Sequence, residues 1–134
     1  MYLCTLPHEH SLKNLDNHFE RCVPNDPVVI FLDTRKVKAI IDRVNAGVFI
    51  PGPRFVNSLR MLDNGEFELP IIMQCVHKPA LYQGRHRTCA LLDREEFVAP
   101  YLTARGMAET IKAIAGVTSN STQFDLKNIP YPVV

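Results

Sequence analysis

The sequence predicts a single α/β domain. Its 134 residues lie near the common size of one domain. Val28-Val29-Ile30-Phe31-Leu32 is a continuous β-branched and apolar run, suited to a strand buried on both faces. Directly behind it, Val37, Ile40, Ile41 and Val44 recur at helical spacing. A strand feeding straight into a helix, followed by further strand and helix patterns, is the arrangement expected of mixed α/β architecture. A chain of this length buries roughly 65–70% of its unfolded surface, enough to fold on a hydrophobic core alone.

The elements follow in order. Ser11 with Leu12, Leu15 and Phe19 predicts a short capped helix over 11–21. Pro27 opens the first strand, Asp33 or Thr34 caps the next helix, and Gly47 ends it. Pro51-Gly52-Pro53 is a turn; Phe55, Leu59 and Leu62 then share a helical face that Asn64-Gly65 stops. Residues 70–76 read as a strand, and Lys78-Pro79 as a loose turn into Ala80-Leu81-Tyr82, giving a hairpin. Gly84 breaks that strand, and Ala90, Leu91 and Leu92 mark a helix to about residue 94. Residues 97–102 contain Pro100 and read as an edge strand. Residues 104–115 read as a helix with Met107, Ile111 and Ile114 as its apolar stripe. The chain thus divides into an N-terminal extension packed on the core (1–26), the core (27–116) and an extended C-terminal tail (117–134), which wraps the domain or docks a partner.

Composition narrows the function classes. The 15 Lys and Arg against 14 Asp and Glu leave a net charge of +1, which argues against coating nucleic acid by bulk electrostatics and leaves room for a local basic patch. Cys4, Cys22, Cys75 and Cys89 are dispersed with no C-x-x-C pair, which predicts reduced thiols in a cytoplasmic protein. No window reaches the ~20 apolar residues of a membrane span, so no insertion is expected. His8 and His10 lack a cysteine or acid cluster to complete a metal site, and no structural metal is predicted. His18 and His77 read as surface or half-buried residues.

The chemistry concentrates at Leu81-Tyr82-Gln83-Gly84-Arg85-His86-Arg87-Thr88-Cys89. A glycine at a strand end permits a sharp turn and close approach of a ligand. The helix that follows aims its unpaired N–H groups and positive dipole end at that turn, which favours an anion. Arg85 and Arg87 add guanidinium forks suited to phosphate oxygens. His86 can donate to a phosphate or relay a proton, and Thr88 offers a hydroxyl. The alternative is a solvated first turn, although cations there oppose the dipole by ~0.3–1 kcal/mol each. Asp33 has two readings, a general base or metal carboxylate beside the site, or the N-cap of the next helix. Lys36, with Arg35, either extends the basic pocket or is ordinary surface charge. Arg54 is either carried to the ligand on a rigid Pro51-Gly52-Pro53 lid or lies in a plain connecting turn.

The string Gly84-Arg85-His86-Arg87-Thr88-Cys89-Ala90-Leu91-Leu92, preceded by a strand and Pro70-Ile71-Ile72, resembles the G-x-H-R box of the ParB/sulfiredoxin superfamily. Phe31-Leu32-Asp33-Thr34-Arg35-Lys36-Val37 resembles a segment of its plasmid fertility-inhibition branch, and the likeness spans about residues 27–103. The resemblance implies a compact single-domain fold with a small mixed sheet flanked by helices, and phosphate contact by Gly84, His86 and Arg87. It further implies ATP or another nucleotide as ligand, Mg with it, and ATPase or nuclease activity in a plasmid, phage or secretion-related setting. Arg85 stands where sulfiredoxin has its catalytic cysteine, which argues against sulfinic-acid reduction. Gln83 stands where many such boxes carry an acid, which weakens hydrolysis. A non-catalytic protein that keeps the fold and binds a protein partner through its apolar tail and adjacent helices is the second expectation. A nucleic-acid binder using the same basic turn is the third.

Overall fold

The computed structural model describes residues 1–7, 24–44, 52–75 and 78–134. The helix expected over 11–21, the stop at Gly47, and Pro51, His8, His10, His18, Cys22 and His77 lie outside them. Among the described residues the order is β1 (Tyr2–Thr5), β2 (Pro27–Asp33), α1 (Thr34–Val44), α2 (Pro53–Asp63), β3 (Glu66–Glu68), β4 (Ile71–Cys75), β5 (Lys78–Gln83), α3 (Arg85–Asp93), β6 (Val98–Ala104), α4 (Arg105–Ala115) and β7 (Phe124–Asp125). The chain is mixed α/β, as its pattern predicts.

A four-stranded sheet of order β2-β6-β4-β5 forms the centre. Val28 to Leu32 are buried along their whole length, which is why that stretch is uniformly apolar. β2 runs antiparallel to β6 from Pro27↔Ala104 to Asp33↔Val98, and β6 is parallel to β4 at Ile71↔Leu102. Helix α4 lies across β2, β4 and β6; α1 meets β5, α3 and α4; α2 packs on α3 and β3. In α1 the buried apolar residues among those described are Val37, Ile40 and Ile41, on the predicted stripe.

Several expectations are corrected. Pro100 sits in an interior strand, not an edge strand. Leu102 N–H donates to Pro70 O at 2.9 Å, so the nitrogen of Pro100, two residues earlier, faces the same side at a level where β4 has not begun. No ladder bond is lost there. Lys78 and Pro79 belong to β5, opposite Cys75 and Gln74, rather than to a loose turn. In α4 the buried face is Met107, Ala108, Ile111 and Ala115, whereas Ile114 is 41% exposed.

A second sheet, of order β3-β1-β7, was not foreseen. All its pairings are parallel, and it joins the start, middle and end of the chain. Tyr2 and Phe67 pack on Phe124 with ring centroids 5.2 and 5.3 Å away. Residues 2–5 are thus the middle strand of a sheet, and the tail supplies one of its edges. Beyond β7 the tail returns to β2. Val29 N–H donates to Pro132 O at 2.8 Å, and Val134 N–H donates to Val29 O at 3.0 Å. With an antiparallel bridge between Leu32 and Gly116, these bonds cover the outer edge of β2.

Candidate functional site

The turn from β5 into α3 is built around one backbone conformation. Gly84 has φ 107° and ψ 23°, the left-handed region, and stands at the N-cap of α3. A Cβ on it would collide with the Pro70 side chain and come within 3.1 Å of Pro70 Cα. Thr88 N–H donates to Gly84 O at 2.8 Å and closes the first helical turn. Glycine is therefore required twice, by dihedral and by space.

Of the four polar side chains expected to converge there, two turn inward. Arg87 Nη1 donates to Glu68 O at 3.1 Å, Glu68 Oε2 at 3.0 Å and Leu69 O at 3.1 Å, with its side chain 14% exposed. Burial draws its pKa down and Glu68 draws it up. Thr88, expected to offer a hydroxyl to a ligand, is wholly buried instead, its Oγ1 2.9 Å from Tyr101 Oη. Tyr101 is itself fully buried, and burial pushes its phenol well above the usual value.

Arg85 and His86 remain half-buried at the helix start, with Arg85 Nε and His86 Nδ1 shielded from solvent. Burial, then Arg54, Arg85 and Arg87, hold the His86 pKa below its ordinary 6.5. Arg54, Arg85 and Arg87 thus each bear on this imidazole with positive charge. Arg54 is exposed in the first turn of α2, which packs on α3, and its charge bears on His86.

Asp33 serves as an N-cap. Its Oδ1 accepts from Arg35 N–H at 2.9 Å, and its carboxylate takes Arg35 Nε and Nη2 at 3.2 Å each. Burial raises its pKa, but the Arg35 bonds outweigh this and leave it below the usual carboxylate value. Arg35 also lies over the Phe97 ring, 4.7 Å from its centroid. Lys36 is exposed on the same turn.

Comparison with protein-family models, curated proteins and solved structures returned no match. Among the described residues no group of three or more His, Cys, Asp or Glu could hold a metal ion, and no helix is long and apolar enough to cross a membrane. Cys4 and Cys89 are free and buried; burial pushes Cys4 up to about 12 and raises Cys89 as well. A shallow, mostly apolar pit lined by Ser58, Met61, Leu62, Phe67, Glu68 and Arg87 has room for about one water. The partners missed from sequence are Glu68 and Pro70. They sit 19 and 14 residues from the groups they touch, at Arg87 and Gly84, and no local pattern announces either contact.

Proposed function

We propose that this protein binds a phosphate-bearing ligand, a nucleotide or a nucleic-acid phosphate, at the start of α3. One observation carries the reading. The left-handed Gly84 turn brings Arg85 and His86 to a helix N-terminus where Arg54 adds a third basic group. Mutual repulsion and the helix dipole both disfavour such clustering, and an oxyanion relieves both. The resemblance of Gly84-Arg85-His86-Arg87 to the phosphate box of the ParB/sulfiredoxin superfamily supports the same ligand class. ATP with Mg is the form that resemblance favours.

Binding is better supported than turnover. ATPase or nuclease chemistry needs a group to orient or deprotonate water. Asp33 is engaged as a cap with its pKa depressed, and Gln83 supplies no carboxylate. His86, with a lowered pKa, is the remaining candidate for moving a proton. The second reading, a protein-binding module using a free tail, is disfavoured by the tail's hydrogen bonds to Val29.

The test is a thermal-shift titration with ATP, ADP, inorganic pyrophosphate and single-stranded DNA, with and without Mg. A ligand at ~100 times its dissociation constant adds about 2.7 kcal/mol of stability, a readily measured shift. Arg85→Gln and Arg54→Gln should each weaken binding by about tenfold or more, the worth of a charge-assisted hydrogen bond. Absence of any shift across the whole panel would refute the proposal.

A further inference from the structure

Residues Glu68 to Pro70 form a three-way junction. Leu69 N–H donates to Thr5 O at 3.0 Å, tying the connector to β1 of the small sheet. Pro70 O accepts from Leu102 N–H at 2.9 Å, tying it to β6 of the large sheet. The same three residues hold the start of α3 at two points. Pro70 abuts Gly84, and the carbonyls of Glu68 and Leu69 with the Glu68 carboxylate take three bonds from Arg87 Nη1. We infer that Arg87 is a positioning residue for the basic turn, clamping the first turn of α3 to this junction rather than contacting the ligand.

The inference rests on the phosphate-binding reading for its functional meaning, and it changes what that reading asks of Arg87. A ligand could reach this guanidinium only through Nε or Nη2, and the side chain is 14% exposed. Here Nη1 is committed to three protein acceptors, two of them backbone carbonyls that would otherwise be left short of a donor. Withdrawing it to meet a phosphate would break all three bonds. The phosphate-binding reading then assigns the anion to Arg85 and Arg54, the basic groups at the start of α3 and in the first turn of α2.

The experiment compares Arg87→Lys, Arg87→Met and Glu68→Gln in the full chain. Backbone hydrogen exchange at Thr88 is read without ligand, and pyrophosphate affinity by calorimetry. A lysine ammonium carries three N–H groups for the same three acceptors. Arg87→Lys should therefore keep both exchange and affinity within about threefold of wild type. Arg87→Met should speed exchange at Thr88 by about tenfold or more while β2–β6 amides stay protected, with affinity falling in step. Should Arg87→Met fail to fold, Glu68→Gln takes its place, keeping every heavy-atom position and speeding Thr88 exchange by about threefold. The inference is overturned if Arg87→Lys loses tenfold in affinity with exchange unchanged, since Arg87 would then touch the ligand. It is overturned equally if neither neutral variant alters exchange at Thr88. Failure of wild type to bind pyrophosphate, or any other ligand of the panel, would count against the phosphate reading; the exchange arm would still decide whether Arg87 holds the turn.

Discussion

Gly84 and Pro70 are in such close approach that no side-chain atom fits between them, and the basic turn is set by that contact. Gly84→Ala would combine a left-handed penalty of ~1–2 kcal/mol with overpacking of ~1–3 kcal/mol. The expected loss is about 2–5 kcal/mol in urea unfolding, accompanied by lost pyrophosphate binding. A variant of wild-type stability would show that the turn tolerates a Cβ.

Thr88 and Tyr101 satisfy each other in the core. Tyr101→Phe strands a buried hydroxyl and should cost about 1–3 kcal/mol. Thr88→Val alone should do the same. The double variant removes both polar groups at similar shape, so its cost should fall well short of the sum. Strict additivity in this cycle would deny the bond.

His86 links stability and binding to pH. Its folded pKa lies below 6.5, chiefly through burial and then through the surrounding arginines. Its stabilising share is therefore present above the unfolded value and lost as pH falls from that value through the folded one. A bound anion opposes the arginine field and raises the pKa, so binding takes up a proton. Sulfate, whose charge is constant in this range, should bind more tightly as pH drops from about 8 to about 6, by at most tenfold per unit. His86→Gln should flatten the profile, and a slope that survives it would place the proton elsewhere.

The tail is a structural strap. Deleting residues 130–134 removes two hydrogen bonds to Val29 and uncovers the edge of β2. A loss of about 1–3 kcal/mol is expected from the bonds alone. Light scattering should reveal association through the bared edge. A truncated chain with the association state and melting temperature of the full chain would make the strap dispensable.

Glu95 is the residue where a glycine would fit better. It has φ 57° in the turn after α3, where Glu95 N–H reaches Leu92 O at 3.0 Å and Glu96 N–H reaches Leu91 O at 2.8 Å. These two bonds form a Schellman end, whose left-handed position usually holds glycine. Glu95→Gly should raise stability by about 0.5 kcal/mol, the strain relieved less the added chain entropy. The neighbouring Glu96 stays occupied, its carboxylate accepting from Tyr2 Oη at 3.0 Å and its carbonyl from Thr34 Oγ1 at 2.8 Å.

The amino-acid sequence by itself determined the α/β class, the β2–α1 unit, the extents of α2 and α4 and the glycine at the head of α3. Each of these rests on local periodicity or on the dihedral needs of a single residue, information that lies within one or two turns of chain. Only the tertiary structure decided that Tyr2–Thr5, Glu66–Glu68 and Phe124–Asp125 share a sheet, because strands of two to four residues gain their stability from distant partners. It also decided that Arg87 reaches back to Glu68 and that Thr88 meets Tyr101. Both side chains look alike on paper as ligand groups, and which acceptor lies within 3 Å or so is a matter of how the sheets fold over α3.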